Sequence, residues 1–432
     1  RLASLEEFAN YVPSTIPGVQ IDFENNTWTR LGAAVGLNAG SDFDAFNAFG
    51  GRRRCNVADN GTVNAYYGDN GYATDGSNGQ VMVEQPKFYY RVVPLKLSKQ
   101  AVGNGYDILK ANYYVSDVPL KGFKLHPAFI NEAGEEVSAV YIGATKACLY
   151  DVSASAYNLT DAQTMAVAED KLSSIFGAKP ASGLTQQFTR PNIEEMANNR
   201  GAGWHGETSK VAMATFLLML IEGAGNLQTV FGSGVSGISD NSSYNCSSIT
   251  GSTASLGNAS GSAASTVNEI NGTETTYTTD GKVSISYRGE EDPYGNIWEF
   301  FHDVNVWGDG SMQGGEAYIC KDFNYTESKR TDNYEGCGWC FPAAAGYIKY
   351  LGYGNEDYDW LLAPSNNTGG TSSLPLGDYD YVTTNLDGFR VACFGGYWNG
   401  GARCGLCWSV NDGVGKRSRN ISGRLIYYPQ AA

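Results

Sequence analysis

Two Cys-x-x-Cys pairs are the first residues whose type and spacing could do chemistry: Cys337 and Cys340 in "CGWC", and Cys404 and Cys407 in "CGLC". Together they could make a four-thiolate zinc site, or act as redox thiols if a helix N-terminus lowered their pKa. Buried, unreactive cysteines fit better, because the second pair falls in an expected strand, where Cys404 and Cys407 would face opposite sides. The nine cysteines are scattered and odd in number, which reads as mostly reduced thiols of a protein made in a bacterial cytoplasm. His126, His205 and His302 share no ligand spacing. "WEFFHD" sets Glu299, His302 and Asp303 close together, yet it reads as a turn leading into a buried aromatic strand. Carboxylate pairs for glycoside hydrolysis could be drawn from Glu356, Asp357 and Asp359, or from Asp378 and Asp380. Such a pair needs a set separation in space, and oxygen-rich turns of this kind also serve as solvated surface or as ligands of a structural calcium. "GVGK" at Gly413 lacks the glycine spacing of a phosphate loop.

The elements that must position these residues are mostly short strands. Gly (54 residues) and Tyr (28) are abundant and charged residues make up only 17% of the 432, the profile of a loop-rich β protein. With 45 acidic and 30 basic residues the net charge is -15, which argues against a nucleic-acid partner. The most apolar run, "VAMATFLLMLIEG" from Val211, is too short to span a bilayer, so no membrane insertion is expected. "RLASLEEFANYVPS" lacks a basic region followed by an apolar one, so no signal peptide is visible in it. Residues 1–135 read as a small β-rich module: "GVQIDFENNTWTRL" alternates around Asn25-Asn26 as a hairpin does, and Pro86 and Pro94 bound a further strand. A second region, 136–432, opens with "EVSAVYIGATKACLYD". Helices are expected in "TDAQTMAVAEDKLSSIFG", capped at Thr160 or Asp161, in "RPNIEEMANNRG", and in "TSKVAMATFLLMLIEG", which should be buried. Residues of about 232–280 are rich in Ser, Gly, Asn and Thr and read as a surface insertion.

"PYGNIWEFFHD" (Pro293 to Asp303), "VYIGATKACLYD" and "LDGFRVACFGGYWNGG" followed by "NISGRL" carry a family resemblance. They resemble the conserved segments of C-type-lectin-fold proteins of the formylglycine-generating-enzyme type. Within that group the stretch "GGYWNGGARCGLCWSVNDGVGKRSRNISGRL" is most similar to the variable proteins of diversity-generating retroelements, many of which are phage tail or receptor-binding proteins. "NAYYGDNGYATDGSNGQVMVEQPKFYYRVV" and "GFKLHPAFI" also look like phage tail-fibre sequence. The fold so implied is α+β: a C-type-lectin-like domain over 136–432, with short strands, two or more packed helices and long loop insertions, preceded by the β-rich anchoring module.

In that family error-prone reverse transcription rewrites template adenines, and the resemblance places the variable region at about 395–424. Asn codons altered at adenines reach Tyr, Gly, Arg, Ser, Asp and Cys but not Trp, Lys or Met. Tyr397, Gly400, Arg403, Ser409, Asp412, Gly413 and Ser418 belong to the reachable set, Asn399 and Asn411 would be unaltered members, and Lys416 joins the face although it lies outside the set. Trp398 and Trp408 would be frame. Tyr397, flanked by small residues, is the expected anchor. What the resemblance implies is a non-enzymatic, diversified binder of a host cell-surface protein or glycan. It would sit on a phage virion tail or a bacterial cell surface, need no cofactor, and assemble as a homo-oligomer such as a trimer. The rivals are an oxidase of the formylglycine-generating type, a tailspike-like glycan hydrolase and a purely structural scaffold. For the oxidase, Cys404 could match one of the two required cysteines while "YWNGG" offers no thiol for the other.

Overall fold

The computed structural model describes residues 12–240, 242–270, 273–277, 282–325 and 332–430, with backbone alone at 267–270 and 273–277. The chain is mostly β-sheet and 11% helical, so the expected α+β balance is shifted far toward β. The hairpin around Asn25-Asn26 pairs Pro17–Asp22 with Thr27–Gly32. Gln80–Pro86 forms a strand, whereas Pro94 lies inside the next one, Tyr89–Lys99, at an irregularity in its register. A bulge lets a sheet accept a residue that cannot donate.

Two of the three expected helices form. In Ser209–Gly223 the side chain of Thr208 accepts from the amide of Val211, and thirteen of its fifteen residues are buried. It packs against the strands Pro17–Asp22, Tyr106–Ser116 and Trp298–Asp309, which is why it is apolar on every side. Arg190–Asn198 is the second, with Pro191 in its first turn. The segment 160–177 forms no helix. Asp161 takes a left-handed backbone (φ 58°), and its carboxylate accepts from Ser182 and Asn245 rather than capping its own chain. The far end of the segment, Lys171–Ser173, pairs as a strand with Cys148–Asp151. Polar side chains that bond distant backbone compete with local helix, and here they win.

Strands from both sides of residue 135 share two sheets. A six-stranded sheet runs Trp204–Gly206, Leu425–Tyr427, Ala139–Gly143, Gln80–Pro86, Arg53–Val57, Val63–Tyr66. A seven-stranded sheet joins the first hairpin and Tyr106–Ser116 to Tyr350–Tyr353 and Pro364–Asn366. The eight-stranded sheet is made wholly of later residues, with Trp298–Asp309 beside Asp387–Phe394, then Trp408–Asp412, Tyr379–Val382 and Gly346–Tyr347. The low-complexity stretch does not stay at the surface. Val235, Ile238 and Cys246 are buried with Ile297 and Trp398, while the buried Asn245, Ser247 and Ser248 are hydrogen-bonded. Paired hydroxyls and amides remove the cost of burying so polar a segment.

A cluster of buried charges joins these sheets. Arg424 donates to Glu299 at 3.1 and 3.2 Å, and to the carbonyls of Gly143 (2.8 Å), Glu291 (3.0 Å) and Asp292 (2.9 Å). Lys146 also bonds Glu299. Burial opposes ionisation of Glu299, but Arg424 and Lys146 overcome it and hold its pKa low. Glu207 beside it is pushed the other way, by burial and then by the charge of Glu299. Removing one member of such a cluster leaves its partner uncompensated. Arg424→Ala is therefore expected to cost about 3–5 kcal/mol, read as a fall in the urea midpoint, and Arg424→Lys is expected to recover less than half of it because lysine cannot serve five acceptors.

A second charged group ties the Arg190–Asn198 helix to the edge of the six-stranded sheet. His205 lies between Glu194 (2.6 Å) and Glu132 (2.5 Å), under the rings of Phe323, Tyr325 and Tyr428. Burial lowers its pKa, but the Glu194 charge and the hydrogen bonds of both carboxylates outweigh this and hold it at about 9. A folded-state pKa above the unfolded value of about 6.5 stabilises fully below that value and is lost as pH rises through 9. The His205 contribution to the unfolding free energy is thus expected to fall by roughly 3 kcal/mol between pH 6 and pH 9.5, and His205→Gln to remove that part of the slope.

Candidate functional site

The exposed end of the eight-stranded sheet is organised by alternation. Along Tyr379–Val382, which runs parallel to Trp408–Asp412, Asp378 and Asp380 point inward and are fully buried, while Tyr379 and Tyr381 are half-buried on the outer side. Asp378 accepts from the amide of Leu406 at 2.8 Å, and Asp380 from Asn367 at 2.6 Å. Burial pushes the pKa of Asp378 well up and that of Asp380 to about 8. These carboxylates hold loops in place. Of the other sequence candidates, Asp359 accepts from Tyr90 and Lys124, Asp303 accepts from the amide and hydroxyl of Ser209, and both ring nitrogens of His302 meet backbone carbonyls, while Glu356 and Asp357 are exposed.

The outward tyrosines form a ledge. Tyr347 and Tyr379 have ring centroids 5.0 Å apart, Tyr379 and Tyr381 4.7 Å, and Tyr381 and Trp298 5.9 Å. Tyr397 stacks on the far side of Trp298 at 6.3 Å. Arg403 lies on this ledge, donating to the Tyr381 hydroxyl at 3.0 Å with its guanidinium 5.6 Å from the Tyr379 ring. Beyond Trp298 a cavity of about 150 Å³ is lined by Trp298, Cys393, Ser409, Asp412, Lys416, Ser418, Asn420 and Ile421. Asp412 and Lys416 form an ion pair at 3.0 Å across its rim.

The expected binding residues therefore divide. Ser409, Asp412, Lys416 and Ser418 converge on one cavity; Tyr397 and Arg403 stand on the adjoining ledge. Tyr397 is half-buried rather than freely exposed, packed against both Trp298 and Trp398. Asn411 and Gly413 are exposed at the end of the Trp408–Asp412 strand. Asn399 is exposed, but its amide bonds the carbonyl of Ile238 at 3.0 Å and so helps anchor the inserted segment. Gly400 is buried. Trp398 and Trp408 are fully buried, and the Trp398 indole donates to Asp240, which Arg419 holds with two nitrogens.

Sequence reasoning missed Trp298, Tyr347, Tyr379 and Tyr381. The signal was the alternation of "GDYDYV", in which period-two placement puts the acids and the aromatics on opposite faces. The expected strand at Cys404–Cys407 does not form: these residues are an irregular bend between a short 3-10 turn, Gly401–Arg403, and the strand that starts at Trp408. Both thiols are buried, and burial raises Cys404 to about 12. Among the described residues no group of three or more His, Cys, Asp or Glu is placed to hold a metal ion, and no helix is long and apolar enough to cross a membrane.

No protein-family model and no curated protein matches the chain. Among solved structures, the U1 and P3c variants of the Major Tropism Determinant are similar to it. Each has a TM-score of 0.28 and 13% identity, over 91% of this chain and 73% of its own. Likeness at that level carries neither fold nor function across, and the site stands on its own geometry.

Two glycines give a direct test of which positions can change. A Cβ on Gly400 would lie 2.5 Å from the Cys404 sulfur, whereas one on Gly413 would meet nothing within 4 Å. Gly400→Val is expected to cost about 1–3 kcal/mol through overpacking. Gly413→Val should stay within about 0.5 kcal/mol of the parent. Thermal melts of the two variants measure the difference.

Proposed function

We propose that this chain is a binding protein that presents exchangeable side chains on a fixed β frame to a host cell-surface molecule, as a phage tail or bacterial surface component. The observation that carries the reading is the sorting of neighbouring residues. Ser409, Asp412, Lys416 and Ser418 meet around one cavity beside an aromatic ledge, while Trp398 and Trp408, interleaved with the proposed variable positions, are fully buried; of those positions Gly400 is closed off as well. Replacements on such a face alter what is bound at little cost to folding. Tyrosine, serine, glycine and asparagine supply contact area and adaptable polar groups, as they do in antibody paratopes. The resemblance to retroelement variable proteins gives a means of exchange: rewriting of Asn codons at their adenines.

Sequencing the gene across many isolates of its source population tests this. Codons 397, 403, 409, 411, 412, 413 and 418 are expected to vary at adenine-derived positions while 398, 400, 408 and 424 stay fixed. Variation spread evenly along the gene would leave a binder of fixed specificity in place of a diversified one.

A further inference from the structure

The charge of the proposed binding face is opposite to that of the protein. Residues 395–424 contain five basic residues (Arg403, Lys416, Arg417, Arg419 and Arg424) and one acid, Asp412, in a chain with 30 basic and 45 acidic residues. Arg424 is consumed inside the frame, Arg419 is paired with Asp240, and Lys416 with Asp412. Arg403 and Arg417 are exposed, and among the described residues neither has a carboxylate within salt-bridge distance. Arg403 is held in place by the Tyr381 hydroxyl and the Tyr379 ring. A guanidinium fixed on an aromatic ledge, with its remaining N–H groups unspent on any acid, is a ready receptor for a carboxylate or phosphate.

Resting on the binding reading above, we propose that the face takes an anionic glycan, with a sugar ring on the Tyr379–Tyr381 ledge and its carboxylate or phosphate on Arg403. The ledge offers ring faces for the apolar side of a sugar. The neighbouring cavity offers what hydroxyl groups need: acceptors from Asp412, a donor from Lys416, and groups of both kinds from Ser409, Ser418 and Asn420. Five of its eight lining residues are polar or charged, beside Trp298, Cys393 and Ile421. The division of labour also follows. Tyr347, Tyr379 and Tyr381 lie outside the variable region and supply a constant sugar platform, while residues 403–418 choose among sugars. A basic face on an acidic protein further orients the approach to a polyanion, since the rest of the surface is repelled.

Binding of the full chain to immobilised alginate (a polyuronate), phosphomannan (a phosphorylated glycan), uncharged dextran and poly-glutamate tests the proposal at ~0.15 M salt. The expected result is retention on alginate or phosphomannan at least about tenfold stronger than on dextran or poly-glutamate. It should weaken as salt rises and fall about tenfold in Arg403→Gln and in Tyr381→Ala. Tyr381→Phe, which keeps the ring and removes the hydroxyl that holds the guanidinium, should fall between these and the parent. Lys99→Gln, an exposed cation on another sheet, should bind as the parent does. Whichever charged polysaccharide is retained names the anion. Equal retention on poly-glutamate, or no loss in Arg403→Gln, would reduce the effect to general polyanion attraction and overturn the proposal. Retention on neither charged glycan would overturn it too. If the codons nonetheless vary at the adenine-derived positions, only the glycan assignment falls and the display reading stands.

Discussion

The buried contact between Arg424 and Glu299 is the constraint on which the rest of this structure depends. One guanidinium reaches a carboxylate in the central strand of the eight-stranded sheet and three backbone carbonyls from two other segments. Lys146 completes the charge on Glu299 from a turn after the Ala139–Gly143 strand. Taking these ions out of water is costly, and a buried ion pair is seldom worth more than a well-packed apolar set of the same shape. What it supplies is position, because each charge has few geometries in which all its partners are met. The proposed variable region ends at Arg424 itself, and Ile421–Ser422, just ahead of it, runs parallel to Trp298–Glu299. The stretch proposed to be exchangeable is thus pinned at its C-terminal end by a buried side chain that serves five acceptors.

Its other end is held by different means. Gly395 and Gly396 have positive φ and lie at the end of the Asp387–Phe394 strand. Trp398 is then sealed beneath the inserted segment by Val235, Ile238 and Cys246. The Asp240–Arg419 pair closes over it, joining the insertion to the far side of the proposed variable stretch. The insertion is therefore part of the frame. Inside it, serine and asparagine satisfy buried backbone in place of a hydrophobic core, so its composition gave no hint of its burial.

How much was legible in the sequence follows from which forces were local. The Ser209–Gly223 helix was readable because its apolar residues and its Thr208 cap are contiguous. The hairpin at Asn25-Asn26 was readable for the same reason. The segment 160–177 looked helical by composition and cap, but Asp161 spends its carboxylate on Ser182 and Asn245, contacts that no local pattern announces. Within the stretch that the resemblance singled out, the reachable residues Ser409, Asp412 and Ser418 line one cavity, together with Lys416, which lies outside that set. Codon logic alone could not separate Gly413, which is open, from Gly400, which is closed by a sulfur 2.5 Å away from any added Cβ. That distinction exists only in three dimensions.

The same limit explains why the tyrosine ledge was overlooked. In "GDYDYV" the acids drew attention as chemistry, and they are the residues the fold withdraws from solvent. Their burial is costly: Asp378 and Asp380 each keep one carboxylate oxygen with no partner in the structure, and burial drives both toward the neutral form. That cost is offset elsewhere in the fold. On its other face the strand presents Tyr379 and Tyr381, in contact with Trp298 and Arg403. Inward acids that fasten loops and outward, half-exposed aromatics are two consequences of one period-two pattern. On the binding reading proposed above, side chains of the neighbouring strand are exchanged while this one stays as it is.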